Sequence, residues 1–351
     1  MYIKKALAGL LCFFLLISPV FAAEPEMETI QADALQFLQK ADGLGDWTIF
    51  VLLRSNPQIS EQAAAWYRAL EKKVIEKEGQ LSATTYTEYA RTVLVVASMG
   101  GDPSNVAGYD LCRPLLDVSA VSRQGVTGIA YALLALQAVG METTAKQECD
   151  QYRALLLERS LADGGWTLFG ENADPDVTAI VLCALAADAG RPETATAIEK
   201  GLTVLSKLQN EDGGFSSYGE ENAESCAQVL IALTEVGCSI EDTRFVKNQS
   251  TVLDALQTYC TESGGFSHVR GGETSQMATV QAVCAMEALH RKNTGQPTLY
   301  DCSDAPTFEL PPQKEGGLAT VIFWFVFFLL FFLLLLGVRR KKIWIPTWKR
   351  F

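Results

Sequence analysis

The chain has 351 residues, is 48% hydrophobic and carries a net charge of −12. It is long enough to bury an ample core, and its acidity excludes a nucleic-acid partner and argues against adhesion to anionic headgroups. Nine cysteines are present with no Cys-x-x-Cys pair. Cys183, Cys226 and Cys284 sit inside apolar runs, so the set reads mostly as free, buried thiols.

At the start, Lys4 and Lys5 precede an apolar run and then Ala22 and Ala23, the three-part pattern of a secretory signal over 1–23. Twelve helical segments follow, over 30–41, 47–53, 61–76, 86–99, 114–121, 128–139, 144–159, 177–187, 193–208, 225–236, 243–260 and 276–290. They alternate in character. Segment 177–187 has one polar residue in eleven, so it must be surrounded by protein. Segment 193–208, opened by Pro192, keeps Ile198, Leu202, Leu205 and Leu208 on one side and charges on the other. Each unit is therefore a hairpin of one buried and one half-exposed helix.

Three turns punctuate the later hairpins: Asp163-Gly164-Gly165-Trp166, Asp212-Gly213-Gly214-Phe215 and Ser263-Gly264-Gly265-Phe266. Their second glycines are 49 and 51 residues apart, a repeat of about fifty. Six inner helices ringed by six outer ones make an all-α, α6/α6 toroid over 24–292, with an open solenoid as the alternative. The prolines of 293–317 predict an extended stalk. Uncharged 318–338, rich in Phe and Leu, then predicts a transmembrane helix, and the basic 339–351 a cytoplasmic tail. The expected location is the cell membrane, single-pass, with an extracellular domain of charge about −20 and the membrane as a partner.

Chemistry concentrates at the loops after the turns. Asp174-Pro175-Asp176 opens an apolar helix: Asp174 suits an N-cap, Pro175 the first helical position, and the helix dipole would lower the Asp176 carboxyl. Glu221, Glu224 and Glu273 suggest that a capping acid recurs. Trp166, Phe169 and Glu171, then Phe215, Tyr218, Glu221 and Glu224, then Phe266 and His268, form aromatic and acidic clusters that would line a ligand site at the toroid's mouth. For the three turn aromatics the structural role, packing on the neighbouring hairpin, is the stronger reading. No metal site or cofactor is expected.

The run from Lys200-Gly201 to Gln209 and Asp212-Gly213-Gly214-Phe215 resembles the Gln-Trp repeat of the prenyltransferase and squalene-cyclase family, with Phe for Trp. The resemblance covers roughly 45–290 and implies an α/α toroid whose glycines, aromatics and Gln209 are structural; the zinc pair of its protein prenyltransferases would fall on Asp110 and Cys112, with only His268 and His290 to complete it. Asp174-Pro175-Asp176-Val177-Thr178-Ala179 resembles the acid motif of class II terpene cyclases. By that likeness Asp176 would donate the proton and Asp174 support it, with Val177 in place of the third aspartate. The preferred expectation is a non-catalytic toroid that captures a small apolar or corrinoid-like ligand, or a partner surface protein. The alternative is an isomerase of the terpene-cyclase kind acting on an isoprenoid lipid through Asp176.

Overall fold

The computed structural model describes residues 20–41 and 44–311, together with Phe328 and Phe331. The chain divides into two compact units, 1–309 and 310–351, and the first contains every element below. Its helices are α1 (Val20–Lys40), α2 (Asp46–Ser55), α3 (Glu61–Glu76), α4 (Tyr86–Ser98), α5 (Val118–Ser122) and α6 (Gly125–Ala138). Then come α7 (Lys146–Glu158), α8 (Pro175–Ala186), α9 (Pro192–Leu208), α10 (Ala223–Glu235), α11 (Val252–Gln257) and α12 (Gln276–Thr294). Two antiparallel hairpins, β1 (Ser216–Ser217) with β2 (Glu220–Glu221) and β3 (Phe266–Ser267) with β4 (Thr274–Ser275), are the strands among the described residues.

The apolar runs form the inner helices. All but two of the twelve residues of α8 are buried, whereas α9 buries one stripe that includes Ile198, Leu202 and Leu205. Helix α2 packs on α4, α4 on α6, α6 on α8, α8 on α10 and α10 on α12, and α12 returns to α2. The ring is closed, so no inner face is left bare as it would be at the ends of a linear stack. Around it, α1 covers α12, α3 covers α2, α7 covers α6, α9 covers α8 and α11 covers α10. This is an α/α toroid.

Two outer helices depart from expectation. Over 114–121 the chain forms a 3-10 turn (Arg113–Leu116) and then the short α5, because Asp117 turns its side chain to cap Ala120 N and restarts the chain there. Over 243–260 a 3-10 turn at Thr243–Phe245 is capped by Asp242, and Asn248 and Gln249 take left-handed φ of 48° and 71°. A capping box of Thr251 and Asp254 then opens α11, which is only six residues long.

The three Gly-Gly-aromatic turns share one hydrogen-bond scheme. Leu161, Asn210 and Thr261 each donate their amide to the second glycine's carbonyl, at 2.8, 2.9 and 2.9 Å. The first glycines, Gly164, Gly213 and Gly264, hold φ of 97°, 86° and 85°, where an L side chain would be strained. Each turn is then tied to a neighbouring element. Trp166 N donates to Thr178 Oγ1 at 3.0 Å and Phe266 N to Thr279 Oγ1 at 2.9 Å, both on the next inner helix. Gln209 Nε2 donates to Gly213 O at 2.9 Å and Phe245 O at 3.0 Å, stitching the middle turn to the following outer segment.

Residues 297–304, expected within the extended stalk, instead form a strap packed on the barrel. Arg54 donates to the carbonyls of Thr298, Leu299 and Asp301 and to Asp304 Oδ1 at 2.7 Å. Arg291 donates to Pro297 O and to Asp304 Oδ2, and Leu299 N donates to Glu235 Oε1 at 2.9 Å. Proline content signalled the lack of a helix here but not the lack of packing. Farther on, Phe308 meets the Tyr67 ring edge-on at 4.8 Å.

The expected single-pass membrane location is corrected: among the described residues no helix is long and apolar enough to cross a membrane. The signal at 1–23 lies almost wholly outside the described residues, as do the span at 318–338, apart from Phe328 and Phe331, and the tail at 339–351. All eight cysteines among the described residues are free, and six of them are buried.

Candidate functional site

Side chains of five inner helices, α2, α4, α6, α10 and α12, meet around one space. That cavity holds about 660 Å³ and is lined by Trp47 and Asp46 of α2, Arg91 of α4, Tyr131 of α6, Gln228 of α10, Gln281 of α12 and, from the strap, Tyr300. Its size suits a small organic molecule. Trp47 and Tyr131 present tilted rings 5.7 Å apart, and Tyr300 stacks on Phe50 at 5.9 Å.

The polar groups here are fixed by one another. Asp46 accepts from Arg91 Nε at 2.7 Å and from Trp66 Nε1 at 3.0 Å. Gln228 Nε2 donates to Gln281 Oε1 at 3.1 Å, but Gln228 Oε1 is buried with no hydrogen-bond partner among the described residues. A buried acceptor left unpaired costs about 1–3 kcal/mol. Cys284 also lines the cavity, but burial pushes its thiol well up, so at neutral pH it is a protonated thiol and not a nucleophile.

None of the residues expected at the site lines this cavity. Trp166, Phe215 and Phe266 are fully buried, and Trp166 Nε1 donates to Leu156 O at 2.7 Å, which is the role of a packing staple. Phe169 and Tyr218, at 78% and 73% exposure, stand on the surface, and Glu171 is exposed as well. Glu221, Glu224 and His268 come together in a surface ion-pair cluster. His268 Nδ1 meets Glu224 Oε2 at 2.7 Å, Nε2 faces Glu220 at 3.5 Å, and Arg270 pairs with Glu221 and Asp212. Hydrogen bonding to Glu224 is the main reason the His268 imidazole is raised above its ordinary range.

Asp174 is the N-cap of α8, accepting from Val177 N at 3.0 Å and from Ser217 Oγ at 2.7 Å. In the following copies the cap is not an acid at Glu221, Glu224 or Glu273. Asn222 caps α10 and Ser275 caps α12. Asp176 lies on the first turn of α8 with Oδ1 buried and unpaired among the described residues. The helix dipole alone would lower its carboxyl. Instead burial, aided by the nearby Asp174 and Glu224 charges and opposed by the Ser225 hydroxyl, pushes it up to about 6. Asp110, a metal-ligand candidate by its spacing from Cys112, turns inward on its own loop and accepts from Cys112 N and Arg113 N. Among the described residues no group of three His, Cys, Asp or Glu side chains is placed to hold a metal ion.

The fold and this central space define the chain as an α/α toroid with a cavity at the N-terminal ends of its inner helices. Among solved structures it is similar to the unsaturated glucuronyl hydrolase of Bacillus sp. GL1, a protein responsible for the degradation of glycosaminoglycan. That match has a TM-score of 0.53 at 12% identity, over 78% of this chain and 98% of that one. A UGL variant with dGlcA-Glc-Rha-Glc matches over the same shares with a TM-score of 0.54 and 12% identity. At that identity the likeness is one of fold. No protein-family model and no curated protein sequence matches the chain.

Proposed function

We propose that the protein is a non-catalytic binding toroid that takes a saccharide-type ligand, a compact molecule with apolar faces and a hydroxylated edge, in its central cavity. The observation that carries this reading is the cavity's lining, in which Trp47, Tyr131 and Tyr300 stand beside the polar Asp46, Arg91, Gln228 and Gln281. Aromatic rings pack against the C–H faces of a sugar while its hydroxyls pair with the polar lining residues. A hydrocarbon ligand would strip solvent from Asp46, Arg91 and Gln281 and return no hydrogen bond, which weighs against an isoprenoid. A corrinoid, far larger than a drug-sized molecule, does not suit a cavity of about 660 Å³. The fold neighbours act on or carry saccharides, and this supports the same ligand class.

The likeness to the prenyltransferase and squalene-cyclase repeat, and a count of six hairpins, belong to this reading too. Gln209, tying Gly213 to Phe245, supports them. A second reading, an acid catalyst using Asp176, draws support from the carboxyl raised to about 6. Against it, Asp176 is not among the cavity's lining residues, and Val177 stands where a third acid would sit.

Calorimetric titration of the full chain with neutral and uronic disaccharides tests the proposal. Saturable binding without turnover is expected, weakened about tenfold or more by Gln228→Leu, which cannot accept a hydrogen bond. The binding reading fails if no disaccharide binds, or if a polyprenyl alcohol is converted and Asp176→Asn abolishes the conversion.

A further inference from the structure

Beneath the central cavity lies a second one of about 340 Å³, lined by Gln137 of α6, Cys183 of α8 and Glu235 of α10 near the C-terminal ends of the inner helices. The two spaces share one lining side chain, Tyr300. It does not belong to the ring of helices. The strap 297–304 carries it into the ring, where it is buried against Phe50.

The strap is held by more than its own packing. Arg54 directs its donors to the backbone of Thr298, Leu299 and Asp301 and to Asp304. Arg291 takes Pro297 O and the other oxygen of Asp304, and is itself braced by Glu287 at 2.9 Å. From the barrel side, Glu235 receives Leu299 N, the residue just before the tyrosine. Two buried arginines and a carboxylate therefore fix the backbone on both sides of Tyr300, and the ring has little freedom to swing aside.

We propose that Tyr300 is the floor of the ligand cavity and sets its depth. A ligand that ends above the ring is accepted, and a longer chain is refused unless the ring is removed. This rests on the central cavity being the ligand site. The ring, not the phenol oxygen, makes the partition, so Tyr300→Phe keeps the floor while Tyr300→Ala joins the two spaces. The joined volume reaches Gln137 and Glu235, which offer hydrogen bonds to the extra sugar of a longer chain.

Two measurements decide it, each with thermal unfolding as a check that the variants fold. In the crystal structure of Tyr300→Ala, one continuous space is expected from the N-terminal to the C-terminal ends of the inner helices, with the strap in place. In calorimetric titration with a disaccharide-to-tetrasaccharide series, wild type and Tyr300→Phe are expected to favour the shorter members. Tyr300→Ala should gain at least tenfold for the longer ones. Two separate cavities in Tyr300→Ala, or one length preference shared by all three proteins, overturns the proposal. If no saccharide binds the wild type yet the spaces join, the saccharide reading is lost while Tyr300 stands as the partition.

Discussion

Asp176 and Gln228 are each a polar group that the fold buries without fully pairing, and they answer that burial differently. Asp176 responds by holding its proton. Because the folded carboxyl, at about 6, keeps its proton to higher pH than the unfolded one, folding takes up protons between the two. The folded state is favoured below the ordinary carboxylate range, and that advantage is lost as the pH climbs through about 6. Asp176→Asn is therefore expected to stabilise the protein at pH 7.5, by up to about 3 kcal/mol, and to change little at pH 4. Denaturant unfolding at the two pH values measures this, and equal effects at both would refute it. Gln228 cannot answer in that way, since an amide has no proton to gain. The sequence carried a signal for Gln228 that motif reading passes over: it is a polar residue inside the apolar run Cys226-Ala227-Gln228-Val229-Leu230. Arg91 and Tyr131 are interruptions of the same kind in α4 and α6. Each comes from a different repeat, so no local spacing links them.

The helices themselves were legible where burial was one-sided or complete, as in α8 and α9. They were illegible where a capping side chain cut a run short. Asp117 and Thr251 hydrogen-bond the backbone just ahead of them, and that local bond outcompetes an apolar pattern too weak to carry the helix through. Close packing between elements was equally hidden. Gly201 lies within α9, where alanine would raise helix propensity by about 1 kcal/mol. Yet a Cβ there would meet Leu182 Cδ2 at 2.8 Å and Trp166 Cζ3 at 3.2 Å. Overpacking costs about 1–3 kcal/mol, so Gly201→Ala is expected to destabilise on balance, with a lower midpoint in chemical denaturation. A rise in the midpoint would show that α8 and α9 can separate cheaply. The strap offers a sharper test, since Arg54 is buried and its removal orphans the carbonyls of Leu299 and Asp301 and leaves Asp304 to Arg291 alone. Arg54→Ala is expected to cost about 3–5 kcal/mol and to open 297–304 to limited proteolysis. If the variant resists cleavage at those bonds as the wild type does, the strap is held by other contacts.

At the scale of the whole molecule, closure matters more than any single hairpin. Each inner helix is sheltered by two others, and α12 meets both α10 and α2, so no helix of the ring can leave without baring its neighbours. One cooperative transition is expected, with near-ultraviolet circular dichroism and backbone ellipticity moving together. Two separated transitions would mean that part of the ring stands alone, as in a linear stack. Closure also creates the cavity, because only a ring gathers Trp47, Tyr131, Gln228 and Tyr300 from chain positions far apart. The Asp174–Asp176 motif, which the sequence made most conspicuous, caps a helix, and neither aspartate lines the space walled by these four. The most direct measurement is a crystal structure of the full chain soaked with a disaccharide. The expected result is a sugar in the central cavity, packed on Trp47 and above Tyr300, with its hydroxyls hydrogen-bonded to the polar lining of Asp46, Arg91, Gln228 and Gln281. A sugar bound elsewhere, or an empty cavity at saturating ligand, would contradict it.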